Sequence, residues 1–521
     1  MNYKDFLEIS AQFSLGGLIT EQAHPHTVGL SEFAKNDLKT GIQRMKDLDM
    51  YVFDVLMNKL DQLAHMNQMV LDTWSKGNRV FICGCGSTGR LALTLETLYR
   101  QITKQTNIIS FMAGGDVAII ASVEDFEDHP EFGAQQLNEL GFKEGDLLIS
   151  STEGGETPWV IGAAQEASKI GKPFYLYCNP DEVLTVQRSQ DVFNNPNINK
   201  INLSVGHQAI TGSTRMQCST VLTYAIGLAI LCKENFIDYA TNSIKNVRQY
   251  YESIDAHEFI AKFVELEADC YLKKEFVFYR SQPNIAINIL TDTTERCPTF
   301  SLHPFESILD NPINPSWSYF VMDVTEGNYN NSLQAWESLL YGRQPRALSS
   351  NYWHKYQHKV GLEKLLSHDI SQDQIERRIK YAGGNHNQFR IVYDQDNLEM
   401  SWEFLSPNAE RIHFAKVKAI DDVLGQNIVL KCLINIHSTL LMGRIGRYQS
   451  NIMIYVRPTN NKLIDRAIRY VLYLLKQNNI VNENITYALV CEHLFEEIKT
   501  LVYGESIVLK TFERVKNLFS L

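Results

Sequence analysis

Between Asn78 and Cys232 the chain alternates short, strand-like apolar runs with segments of helical periodicity. This alternation constrains the fold more than any other feature, because it is how a parallel sheet covered by helices is written in sequence. The strand candidates are Asn78 to Cys83, Ile108 to Met112, Asp146 to Ser151, Phe174 to Cys178 and Ile198 to Leu203. Upstream, from Leu30 to Trp74, apolar positions recur at helical spacing among Lys, Asp and Gln, which predicts two amphipathic helices. From about Tyr250 to Pro407 the strand and helix alternation returns more weakly, with strand candidates at Phe276 to Tyr279, Tyr319 to Val324 and Phe389 to Tyr393. From Ile428 onward the apolar spacing is helical. A chain of 521 residues exceeds one compact core. The expected layout is an N-terminal helical arm (1–75), a first α/β module (76–240), a second, degenerate module (250–425) and a C-terminal helical cap (428–521).

Charge and composition narrow the partners. The net charge of −11 comes from dispersed acids without a long basic block, which argues against nucleic acid and anionic membranes. Nine cysteines without a CxxC pair indicate neither a zinc cluster nor a secreted disulfide framework, and they point to the reducing cytoplasm. No apolar stretch approaches membrane-spanning length, and the histidines show no metal-ligand spacing. Neither a metal nor a cofactor is expected.

Three junctions carry the chemistry. The first is Gly84-Cys85-Gly86-Ser87-Thr88-Gly89-Arg90, between a strand and a helix. Its glycines allow a tight turn and close backbone approach, the helix start offers free N–H groups and positive dipole, and Ser87 and Thr88 add hydroxyls. Spelled literally it is also GxGxxG, but the acid that a dinucleotide fold requires about 20 residues on is badly placed, since Asp116 comes late. The second junction is Ser151-Thr152-Glu153-Gly154-Gly155-Glu156-Thr157-Pro158, with Thr157 suited to the N-cap and Pro158 to the first turn. Its two carboxylates can accept hydrogen bonds from ligand hydroxyls, although a plain capped helix would look the same. The third, Thr211-Gly212-Ser213-Thr214-Arg215-Met216, places hydroxyls ahead of an apolar helix. In a parallel sheet such loops emerge at the carboxyl ends of the strands, so the three can converge on one anionic ligand.

The segments GCGSTGRLA, AGGDVAIIASVEDFEDH, GGETPWVIGAAQEA and AITGSTRM, with LITEQAHPHTVGL before them and HSTLLMGRIGRYQSN and TNNKLIDRA near the C-terminus, resemble the sugar isomerase (SIS) family of N-acetylmuramic acid 6-phosphate etherases and glucokinase regulatory proteins. The resemblance covers roughly Leu18 to Cys232 and Ile436 to Val471. It implies a flavodoxin-like SIS module, a second degenerate SIS-like module and a bound phosphorylated hexose or amino sugar. About 200 residues separate the GSTRM helix from HSTLLMG, where an etherase has none and a glucokinase regulatory protein carries a second SIS module.

In the etherases the resemblance implies two acidic residues that handle the protons of ether elimination and hydration. Glu127 falls on one of these positions and is the candidate catalytic group, but Leu98 falls on the other and can neither give nor take a proton. Glu96 is near in sequence, yet two helical residues point about 200° apart, so it should face away if Leu98 faces the site. The candidate sugar-phosphate residues are Gly84, Gly86, Ser87, Thr88, Gly89, Glu124, Glu127, Gly154, Gly155, Glu156, Thr157, Ser213, Thr214 and Arg447, the last taken from the family's cation near the phosphate. Two functions follow from the resemblance: a sugar-phosphate-binding regulator or sensor with a sugar kinase as partner, or an etherase-type lyase or sugar-phosphate isomerase using Glu127. No glycine occurs between Gly227 and Gly327, so the second module lacks a phosphate loop. A monomer with one site, built as an intrachain pseudodimer, is expected.

Overall fold

The computed structural model describes residues 2–123, 126–311, 313–323, 329 and 331–519. After a short N-terminal helix (Tyr3–Ile9), the stretch expected to form two helices forms three: Leu30–Asn36, Leu38–Met57 and Leu60–Ser75. The extra break falls at Asp37, whose carboxylate accepts the Thr40 amide and caps the second helix. A short acidic side chain that bonds the local backbone ends one helix and opens the next.

The first sheet contains β1 (Val80–Gly84), β2 (Ile108–Met112), β3 (Leu147–Ser151), β4 (Phe174–Tyr177) and β5 (Asn199–Asn202). All four pairings are parallel and the order is β2-β1-β3-β4-β5, a flavodoxin-like arrangement. Every residue of β1, β3 and β4 is buried, which explains why these strands read as continuous apolar runs. The strand order reverses between β1 and β3, so the connections leaving these two strands part to opposite sides. A crevice opens at their carboxyl ends.

The second sheet contains β6 (Phe276–Ser281), β7 (Ser318–Met322), β8 (His386–Asp394), β9 (Glu399–Leu405) and β10 (Arg411–Lys418), in the order β10-β9-β8-β6-β7. Strands β7, β6 and β8 are parallel and repeat the arrangement of β2, β1 and β3, whereas β9 and β10 are antiparallel additions. Neither addition is among the strands expected from the sequence. Along β9, buried Met400, Trp402 and Phe404 alternate with more exposed residues, and β10 is mostly exposed. Such strands lack the continuous apolar run that marks a strand buried on both faces.

The helix Val423–Arg444 is buried along most of its length and packs against Leu38–Met57, Gln217–Leu231, Ala256–Leu272 and Pro283–Phe300, joining both halves. A helix apolar all round belongs in such a place. After it, Asn461–Gln477, Tyr487–Ile498 and Ile507–Phe519 stack on one another. Ion pairs also tie the halves together. The buried Glu96 accepts from Arg346 Nη1 at 2.9 Å and lies 3.3 Å from Arg343 Nε, while Asp116 accepts from Arg343 Nη1 and the Arg346 amide, both at 2.7 Å. Burial works to raise the Glu96 pKa, but Arg343 and Arg346 bring it down to about 2.

Candidate functional site

The turn after β1 depends on glycine for two different reasons. A Cβ at Gly84 would lie 2.4 Å from the Thr88 carbonyl carbon, and one at Gly89 would lie 2.5 Å from Met112 Cβ, so both glycines let the helix Ser87–Thr103 press onto the sheet. Gly86 instead has φ +58° and open space where a Cβ would be. The helix start carries no side-chain cap, which leaves first-turn N–H groups at the positive end of the dipole. Thr88 turns its hydroxyl to the loop backbone. It is buried, and its hydroxyl accepts the Cys85 amide and donates to the Cys85 carbonyl, both at 2.9 Å, stapling the loop from behind.

A cavity of about 340 Å³ lies in the crevice between β1 and β3. Of the residues singled out from sequence, Gly86 and Ser87 of the first loop, Gly154, Glu156 and Thr157 of the second, Ser213 and Thr214 of the third, and Glu127 line it. Gly84, Thr88, Gly89 and Gly155 stand behind the wall, where Gly155, at φ +80°, packs against Leu184. Thr157 sits at the N-cap position, but its hydroxyl bonds Thr152 Oγ1 at 2.8 Å instead of the helix amides. Glu124 lies outside the described residues. Arg447 is not in the wall: its guanidinium stacks between the rings of Trp317 and Tyr455, 4.5 and 4.6 Å from their centroids. A flat, weakly hydrated cation gains from two aromatic faces, and that contact holds it away from the cavity.

A cation of the TNNKLIDRA segment, not among the expected site residues, stands in the wall. Lys462, at the start of the helix Asn461–Gln477, pairs with the Glu127 carboxylate. Burial alone would lower its pKa, but Glu127 keeps the ammonium protonated. In the second loop Ser87 Oγ donates to Glu153, and burial pushes that carboxyl up to about 8. Glu156 is held by Arg188 Nη2 at 2.6 Å. Three buried polar atoms of wall residues have no hydrogen-bond partner among the described residues: Ser213 Oγ, Arg90 Nη2 and Arg215 Nε. An orphaned buried donor costs about 1–3 kcal/mol, so these groups are set for a polar ligand or water. Cys85 also lines the cavity, but burial raises its thiol pKa and leaves it a poor nucleophile. Among the described residues no group of three or more His, Cys, Asp or Glu side chains could hold a metal ion.

Neither carboxylate position on the first helix reaches the cavity. Leu98 is 1% exposed in the core, and Glu96 faces away into the Arg343 and Arg346 pairs. A different acid does reach it: Glu295, on the helix Pro283–Phe300 of the second half, is a wall residue. Arg90 is visible in the first motif and Lys462 in the TNNKLIDRA segment, whereas nothing contiguous with the glycine loop points to Glu295. Together the wall supplies hydroxyls and amides for an anion, an ammonium to neutralise it, and carboxyl groups able to accept hydroxyls or move protons.

Residues 62–168 match the family model of the glucokinase regulatory protein N-terminal SIS domain. The N-acetylmuramic acid 6-phosphate etherase of Bacillus pumilus (strain SAFR-032) is 31% identical over 209 residues, covering 40% of this chain and 65% of that protein. That of Yersinia pestis (strain Pestoides F) is 31% identical over 210 residues, covering 40% and 67%. Among solved structures, the C-terminal domain of glucosamine-fructose-6-phosphate aminotransferase from Francisella tularensis aligns over 76% of this chain and 96% of its own, at 10% identity and a TM-score of 0.37. An α/β protein with a flavodoxin-like sheet and glycine-turned loops at its switch point is thus also an SIS protein by sequence. The chain belongs to the SIS family that includes the N-acetylmuramic acid 6-phosphate etherases and glucokinase regulatory proteins. It spans about 65% of the length of the first etherases that it matches.

Proposed function

We propose that the chain binds one phosphorylated hexose or amino sugar in the cavity between β1 and β3. The observation that carries this is the convergence of Ser87, Thr157, Ser213, Thr214 and Lys462 on one cavity in which the Ser213 hydroxyl has no partner. The phosphate would take the Ser87 helix start and the Lys462 ammonium, and the sugar hydroxyls would face Glu127 and Glu156. A phosphate at Lys462 would also compete for the cation that now pairs with Glu127, freeing that carboxylate toward the sugar.

In the first reading the protein is a regulator or sensor in carbohydrate or amino-sugar metabolism, acting on a sugar kinase in the cytoplasm as a monomer. The two-sheet layout and Leu98 in the core support it, as do nine cysteines that are all free thiols. The second reading is an etherase-type lyase acting on a sugar 6-phosphate, and the carboxyl groups of Glu127 and Glu295 in one wall favour it. Calorimetry with fructose 6-phosphate, fructose 1-phosphate and N-acetylmuramic acid 6-phosphate tests the binding, which fails if none binds. Lactate release from N-acetylmuramic acid 6-phosphate separates the readings: turnover lost in Glu127→Gln supports the lyase, and binding without turnover supports the regulator.

A further inference from the structure

We infer that Glu295, carried by the second half of the chain, is the proton donor that the first half lacks at Leu98; this rests on the lyase reading above. Strands β1 and β6 hold the same middle place among their parallel neighbours, and each runs into a helix, Ser87–Thr103 or Pro283–Phe300. Leu98 follows Gly84, the end of β1, by the same 14 residues that separate Glu295 from Ser281, the end of β6, so they occupy corresponding places in the two halves. The two helices pack against each other. Leu98 is buried in the core, while Glu295 lies in the wall of the cavity that the loops of the first half line.

The surroundings of Glu295 fit a working acid better than a structural ion pair. It is 7% exposed, and the one cation paired with it among the described residues, Arg90, stays 3.8 Å away. Arg90 spends its Nε on the Ile119 carbonyl and leaves Nη2 without a partner. A carboxylate buried without a close hydrogen-bonded partner is costly, and the protein avoids that cost by keeping the proton on. Burial accordingly raises the Glu295 pKa, against the pull of Arg90, Arg215 and Lys431. Cys297, Pro298 and Thr299 also line the cavity, so the last turns of this helix form one side of it.

The protons balance with two carboxyl groups. Glu127 takes the proton from the sugar carbon next to the ether carbon, and the electrons of that C–H bond form a carbon–carbon double bond. The ether C–O pair leaves on oxygen, which receives the Glu295 proton and departs as the lactate hydroxyl. Water then adds across the double bond: its hydroxyl goes to the former ether carbon, its other proton restores Glu295, and Glu127 returns its proton to the neighbouring carbon. One water is consumed and both carboxyl groups end as they began.

The test is steady-state lactate release by the full-length chain from N-acetylmuramic acid 6-phosphate, with calorimetry alongside. Glu295→Gln should lower kcat by about 100-fold or more while KM stays within about threefold. The loss should shrink below about tenfold for an aryl-ether analogue, whose phenolate leaves without protonation. Glu295→Asp, which shortens the reach and keeps the charge type, should lose roughly tenfold and covers the case in which the Gln variant fails to fold. Turnover of Glu295→Gln or Glu295→Asp equal to wild type, or a defect just as large on the aryl ether, overturns the donor role alone. A wild-type chain that binds the sugar phosphate and releases no lactate defeats the lyase reading itself, and the donor role with it.

Discussion

The two sheets share the order of their parallel strands and differ in what stands at the carboxyl end of the middle one. After β1 the chain turns at Gly86 and enters an uncapped helix at Ser87, leaving amides and hydroxyls on a cavity. After β6 it passes from Ser281 through Gln282 to Pro283, which has no N–H to offer. There Arg280 and Arg390 are already paired with Asp323, at 2.8 and 2.5 Å. The same switch point thus opens on a cavity in one half and holds an internal ion cluster in the other. Topology supplies the crevice, and the loop decides whether its polar groups stay available.

The comparison breaks most completely at the glycine turn. Gly84→Ala would drive a methyl to 2.4 Å from the Thr88 carbonyl carbon, forcing the helix off the sheet. The expected cost is about 3 kcal/mol or more, with sugar-phosphate binding lost, as chemical denaturation and calorimetry would show. The next effect is a pH signature of the first half. Glu153 keeps its proton up to about 8, against an ordinary 4.5, so between these values the folded chain holds a proton that the unfolded chain has released. Its contribution to stability therefore falls as pH rises from 4.5 to 8. Subtracting the Glu153→Gln stability profile from that of wild type should give a curve declining across that window by an amount on the order of a few kcal/mol.

Cutting the link between the halves should cost about as much. Glu96→Gln removes the buried carboxylate that Arg343 and Arg346 share, leaving Arg343 with Asp116 alone, and should destabilise by about 3 kcal/mol, while the folded variant keeps its sugar-phosphate affinity. Lys462→Met should weaken sugar-phosphate binding by about 2 kcal/mol, roughly thirtyfold, whereas Arg280→Met in the second half should leave it unchanged. Equal losses in the two variants would mean that the ligand sits elsewhere. The smallest effect is expected of Ser213→Ala, about 1 kcal/mol in affinity, with no loss of stability because its hydroxyl has no partner among the described residues.

The residues that spell a strand, a glycine turn and a helix start are contiguous, so sequence alone determined the first sheet, its three loops and the SIS family. Each such junction is a local steric and hydrogen-bonding problem, solved by neighbours in the chain. It also determined that Leu98 cannot move a proton. Only the tertiary structure decided that Thr88 faces inward while Ser87 faces the cavity, because one residue's rotation on a helix, about 100°, separates a staple from a ligand contact. It placed Arg447 on two aromatic rings and Lys462 in the wall, a choice between two cations that charge alone leaves open. It also brought Glu295 to a cavity whose glycine loop lies about 200 residues earlier. No local rule records such a meeting, because it depends on how two helices pack, and packing is set by shape and burial over the whole interface.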